Sequence, residues 1–172
     1  MLRFMVLGAP RSGTAWVANW LSIPGRVCLH DPLWDHHYPE LDNLPHVWGI
    51  ACTALAYLPE WVNAHQCPKV ILHRSKAEID CALAQFGLPE VPQRLLDCLW
   101  MCQGLHTEWT DLFTPYGAKE IHEHLEVGAF DLERWEMLRH LIVTSHWQQR
   151  RVFKNAIAAK RNLQEMGLEA LS

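Results

Sequence analysis

Long apolar runs are missing from this chain: none approaches the roughly 18 residues of a membrane-spanning helix, so no membrane role is expected. The N-terminus is strand-like and lacks the apolar segment and cleavage site of a secretory leader. No cysteine pair has the C-x-x-C spacing; residues 28, 52, 67, 81, 98 and 102 fall mostly inside apolar segments. Reduced, buried thiols in a cytoplasmic protein are therefore expected, and a disulfide framework is not. Positive charge is in short supply too, with 15 Lys and Arg against 19 Asp and Glu. The resulting net charge of −4 gives nucleic acid no electrostatic reason to bind. Internal repeats and low-complexity segments are absent. What is plentiful is tryptophan (9) and histidine (11), in a chain of 172 residues. That length suits a single domain over residues 1–172 with a genuine core.

The most informative stretch is Val6-Leu7-Gly8-Ala9-Pro10-Arg11-Ser12-Gly13-Thr14-Ala15-Trp16. An apolar run from Phe4 to Leu7 ends in a turn of glycine, proline and serine. A helical pattern follows, with Trp16, Val17, Trp20 and Leu21 on one face. A strand that turns through glycines into a helix N-terminus makes a nest of backbone N–H groups, and the helix dipole adds positive potential there. That is a recipe for holding phosphate. Arg11, at the helix start, is unfavourable beside the dipole unless an anion lies between them.

Further along, Pro24-Gly25 predicts a turn and Arg26 to His30 a short strand ending at Asp31-Pro32. Leu33 to Pro45 has no clean period and is expected as a long surface loop of the kind that forms lids. Val47 to Cys52 suggests another strand, Thr53 a cap, and Pro59 the first turn of a helix through Trp61 and Val62. Lys69 to His73, with Val70-Ile71-Leu72 at its centre, predicts a buried parallel strand. Ser75 and Glu78 form a capping-box pattern for a helix that buries Ile79, Ala82, Leu83 and Phe86 and ends at Gly87. A further helix is expected from Pro92 to about Gln103. Gly104 to Gly117 look irregular, with Trp109, Phe113 and Tyr116 supplying aromatic surface, and Lys119 to Leu125 are expected to form a late strand. Asp131 is placed to cap a helix that turns Leu132, Trp135, Leu138 and Leu141 inward. The last helix is expected from about Ser145 to Met166, with Val152, Ala156, Ala159, Leu163 and Met166 as its apolar stripe.

Strands alternating with helices imply a parallel sheet with helices on both faces. Ligands of such sheets bind at the carboxyl ends of the strands. The Gly8–Thr14 loop, His30-Asp31, the end of the 47–52 strand and Arg74 then share one rim.

Tested as a Walker A motif, G-x-x-x-x-G-K-S/T, the loop has Gly8 and Gly13 in register. Thr14, however, replaces the lysine, and Ala15 replaces the magnesium-binding hydroxyl. Both absences count against kinase or ATPase chemistry. Gly8 to Trp16 instead resembles the 5′-phosphosulfate loop of sulfotransferases, G-x-P-R/K-S-G-T-T-W, with Ala15 where the second threonine usually stands. The resemblance implies a three-layer α/β fold of the P-loop type, with a central, mostly parallel sheet and helices on both faces. It implies 3′-phosphoadenosine 5′-phosphosulfate as co-substrate, with no metal required. Pro10, Arg11, Ser12, Gly13, Thr14, Ala15 and Trp16 would hold the 5′-phosphosulfate. Arg11 would face the transferring group, where a fixed cation stabilises charge on the leaving phosphate.

Val70 to Glu78 resembles the second motif of that family, a strand followed by R-N/D-P-x-D/E. The resemblance implies Arg74 as ligand of the 3′-phosphate, a role that suits the planar guanidinium fork. Lys76 stands in place of the proline, and Ala82 in place of the 3′-phosphate serine. Losing that hydroxyl costs about 0.5–1.5 kcal/mol of binding.

Sulfuryl transfer to a hydroxyl or amine also needs a base near the acceptor. His30 and Asp31, at a strand end, are the first candidates; Asp35, His36 and His37 follow. The acceptor, a small molecule or conjugate, is expected between residues 31–46 and 104–117. On a strand His122 and His124 would share a face, but two ligands without a third make no closed metal site, so no metal is expected. Arg150, Lys154 and Arg161 form a basic stripe, a solvated face or a contribution to the 3′-phosphate pocket. Two alternative functions stay open: a P-loop kinase of nucleotides or small molecules, and a non-catalytic nucleotide-binding protein.

Overall fold

Residues 2–140 and 156–168 are described by a computed structural model of the chain. Its centre is a five-stranded sheet in the order β2-β3-β1-β4-β5, with every neighbouring pair parallel. The strands are β1 (Phe4–Gly8), β2 (Val27–His30), β3 (Val47–Cys52), β4 (Lys69–His73) and β5 (Leu105–Glu108). The expected mostly parallel sheet is thus wholly parallel.

β1 lies in the middle and is buried along its whole length, as an apolar strand covered on both faces must be. The twofold alternation of its side chains builds two separate cores. Met5 and Leu7 join Ile50, Cys52 and Ile71 under α2 (Pro59–Ala64), α3 (Lys76–Ala84), α4 (Gln93–Met101) and α7 (Ala156–Glu165). Phe4 and Val6 join Ala51, Val70 and Leu72 under α1 (Thr14–Leu21), α5 (Pro115–His124) and α6 (Leu132–Arg139). The result is three layers, helices–sheet–helices. β1 feeds α1 on one face, whereas β4 feeds α3 on the other, which opens a crevice between their carboxyl ends.

Local signals act as expected in several places. Ser75 Oγ accepts the N–H of Glu78, and Asp131 Oδ1 accepts that of Arg134 at 2.9 Å, so both caps form. Pro59 opens α2.

Other expectations fail, each for a tertiary reason. Lys119 to Leu125 belong to α5 and its C-cap rather than to a strand, because Pro115 sits in the first turn and Thr114 Oγ1 caps the N–H of Gly117. Leu105 to Glu108, inside the stretch expected to be irregular, pair with Val70 to His73 as the edge strand β5. Leu33 to Pro45 is no open lid. It contains two 3-10 turns, Pro32–Trp34 and Tyr38–Asn43, whose Leu33 and Leu41 enter the core.

Phe86 is exposed rather than buried, and so is Leu132. On α7 the buried positions among the described side chains are Ala158, Asn162 and Met166, with Leu163 half-buried; the side chains of Ala156 and Ala159 lie outside those described. Leu141, Val152, Arg150 and Lys154 lie outside the described residues, and Arg161 is exposed.

Candidate functional site

At the end of β1 the chain makes a tight turn held by Ser12 N–H on the Ala9 carbonyl, 3.1 Å, and α1 begins with Val17 N–H on the Gly13 carbonyl, 2.9 Å. Two residues in the turn have left-handed backbones, Gly13 (φ 90°) and Arg11 (φ 66°). Gly13 is demanded twice over: its φ suits glycine, and a Cβ there would lie 2.7 Å from Leu112 Cδ1. Glycine at position 13 lets the 3-10 turn Trp109–Phe113 settle directly onto the loop.

The loop carries an anomaly. Ser12 is wholly buried, yet its Oγ has no hydrogen-bond partner. Nε of Arg74 is buried and unpartnered as well. Buried polar atoms are nearly always paired, so each such atom calls for an explanation. Both stand at the crevice between β1 and β4, where Arg74 Nη1 donates to the Arg11 carbonyl at 2.5 Å.

The face of the Arg74 guanidinium rests on Trp109, with Cζ 4.1 Å from the ring centroid. Arg11 is backed in the same way by Phe86, at 4.7 Å, which accounts for an aromatic left exposed at the end of α3. Burial lowers the pKa of Arg74 from its ordinary value, Glu78 opposes this, and the like charge of Arg11 adds to it. Two cations near a helix N-terminus repel each other and the dipole. An anion between them would reverse both terms.

Beside Arg74 runs a shallow groove of about 330 Å³ lined by Arg74, Ala77, Glu78, Cys81, Ala82 and Gln85. The two positions singled out by the second sequence motif, 74 and 82, therefore face one space. A second cleft, of about 410 Å³ around Lys69, Gly104 and His124, lies at the opposite, amino-terminal edge of β4 and β5, remote from this chemistry.

Across the loop, Thr14 Oγ1 lies 3.3 Å from Nε2 of His30, and the same nitrogen is 3.2 Å from Asp31 Oδ2. The other oxygen of Asp31 accepts the N–H of Thr53 at 3.0 Å. Asp31 holds this position with a left-handed backbone, φ 45°. His30, Asp31 and the loop thus form one connected group. His37 is elsewhere engaged, with Nε2 2.9 Å from Glu165 Oε1.

Trp16 is buried, and its Nε1 donates to the Leu138 carbonyl at 3.0 Å. Its indole serves the core, so what Trp16 has for a ligand is its backbone N–H. Pro10 and Ala15 are half-buried on the same turn. Lys76, in place of the motif's proline, bonds Asp80 one helical turn on and Glu90 at 3.1 Å.

The histidines considered for metal do not converge. On α5, His122 is buried beside Trp20 and Phe130, while His124 Nε2 donates to the Lys69 carbonyl at 3.0 Å. Residues two apart on a helix face different ways. Among the described residues no group of three or more metal-ligating side chains occurs.

Three contributors escaped the sequence: Leu112 over Gly13, Trp109 under Arg74, and the Thr53 N–H. Only the aromatic character of the 104–117 stretch pointed toward any of them. No helix among the described residues is long and apolar enough to cross a membrane. Comparison with protein-family models, with curated proteins and with solved structures gave no match.

Proposed function

We propose that this chain transfers a sulfuryl group from 3′-phosphoadenosine 5′-phosphosulfate to a hydroxyl or amine of a small acceptor. The observation that carries the reading is the buried, unpartnered Oγ of Ser12 in a strand–turn–helix loop. A hydroxyl there has no partner in the protein, and an oxyanion seated on the loop supplies one. The co-substrate brings an activated sulfur–oxygen bond, and the chain supplies its surroundings. Backbone N–H groups of residues 13–16 and the α1 dipole hold the 5′-phosphate. Arg11 and Arg74, each backed by an aromatic ring, supply fixed positive charge for the leaving phosphate and the 3′-phosphate.

As the acceptor–sulfur bond forms and the sulfur–oxygen bond to the phosphate breaks, the acceptor's proton passes to the His30–Asp31 pair. Asp31 Oδ2, 3.2 Å from Nε2, is placed to orient the imidazole for that role. Phosphoryl transfer is the weaker reading, because the loop has neither the lysine nor the metal-binding hydroxyl of a kinase. A non-catalytic nucleotide-binding protein is favoured only by Ala15 and Ala82.

Calorimetry with 3′-phosphoadenosine 5′-phosphate, with magnesium and with a chelator, tests the proposal. Binding that is insensitive to the chelator and tighter than that of ADP is expected. Absence of binding by the folded protein would remove the proposal. Strict magnesium dependence would turn it toward phosphoryl transfer.

A further inference from the structure

Asn162 sits on α7, far along the chain from the loop, and is 2% exposed. A polar amide at the centre of a buried helix face calls for a reason, and its bonds provide one. Oδ1 accepts the N–H of Tyr38 at 3.1 Å. Nδ2 donates to the carbonyls of Leu33 and His36, each at 2.8 Å. All three partners belong to residues 33–38, and the amide's two donors and its acceptor are all used. Glu165, one turn further along α7, bonds His37 at 2.9 Å and Tyr38 through its hydroxyl. The 3-10 turns of this segment are too short to hold themselves.

The gripped segment starts immediately after Asp31. Leu33 is two residues from the carboxylate that faces His30, and Pro32 between them has little backbone freedom. We propose that Asn162 is a positioning residue: from α7 it fixes the segment after Asp31, and through it the His30–Asp31 pair beside the loop. This rests on the role given to that pair above. The anion cradle itself is built from β1, α1 and β4 and does not depend on Asn162.

The test is an NMR titration of the His30 imidazole in the wild type and in Asn162→Ala. Without the clamp, Asp31 is held less firmly against Nε2, so the midpoint of His30 is expected to differ from that of the wild type. Binding of 3′-phosphoadenosine 5′-phosphate should change less than threefold. Glu165→Gln keeps the amide clamp and should leave the His30 midpoint in place.

A purely architectural role would lower stability and leave that midpoint unmoved, which would overturn the proposal. An equal shift in Glu165→Gln would also overturn it, by tracing the effect to general loosening of α7. Asn162→Ser, which keeps a hydroxyl, is the second variant should the alanine fail to fold; if both unfold, the role is architectural and the proposal falls. Failure of the wild type to bind 3′-phosphoadenosine 5′-phosphate would remove the function proposed above, while the His30 titration would still decide the coupling.

Discussion

At the scale of single residues, Ser12 separates a binding role from a structural one. A buried hydroxyl without a partner is a cost to the free protein, about 1–3 kcal/mol for the unsatisfied group. Ser12→Ala is therefore expected to leave the melting temperature unchanged or raise it. If the hydroxyl serves an anion, the same change weakens 3′-phosphoadenosine 5′-phosphate by up to about tenfold, the worth of one hydrogen bond. Thermal melting and calorimetry on one preparation check both signs. A variant that melts lower and binds equally well would mean that Ser12 is a packing residue. Gly13 was legible as a turn glycine, but its second duty was not: Leu112, from a distant part of the chain, occupies the space a side chain would need.

Between elements, β4 and β5 share a histidine pair. Nε2 of His73 lies 2.7 Å from Nδ1 of His106, and His106 Nε2 lies 2.9 Å from the Cys102 carbonyl. A carbonyl only accepts, so His106 carries its proton on Nε2, and His73 must donate from Nε2 to the bare Nδ1 of its neighbour. Trp100 stacks on His73 with centroids 3.9 Å apart.

Burial, followed by the neighbouring imidazole, lowers the His73 pKa from 6.5 to about 4. The unfolded state then binds more protons between those values, so stability is full above about pH 6.5 and is lost as pH falls toward about 4. Solvent screening of a partly exposed group limits the loss to about 1–2 kcal/mol. Buried His122, its pKa also lowered by desolvation, contributes with the same sign. Urea melts at pH 7 and pH 5 should show a smaller loss in His73→Gln than in the wild type. An equal loss would place the effect elsewhere.

For the whole molecule, the decisive arrangement is a sheet with two unlike covers. One core is built from aliphatic helices. The other is aromatic, with Trp16, Trp20, Phe130 and Trp135 in contact through ring centroids 5.2–6.4 Å apart. Trp135 is fully buried, and its Nε1 donates to the Leu112 carbonyl at 2.9 Å, so α6 holds the turn that covers the loop. Trp135→Ala should cost about 3–5 kcal/mol and increase hydrogen exchange in residues 109–113. Protection there that matches the wild type would show that the cover is held without α6.

Much of this was open to reading from the chain alone. β1, β2, β3 and β4, the loop, and the helices after Pro59 and Ser75 rest on local causes: apolar runs, prolines, glycines and capping side chains that act within a few residues. The same local chemistry pointed to the loop as a candidate anion cradle and placed His30, Asp31 and Arg74 on one rim. Tertiary structure alone decided the rest. Leu105 to Glu108 are too polar to declare themselves a strand and become one only because β4 offers an edge. His122 and His124 look like a pair until the helix sends them apart. Asn162 interrupts an apolar pattern, and only the folded chain shows the three backbone groups that it satisfies. A periodicity records which face of an element is buried. It does not record what that face meets, and the neighbours of Gly13, Arg74 and Asn162 are set by that meeting.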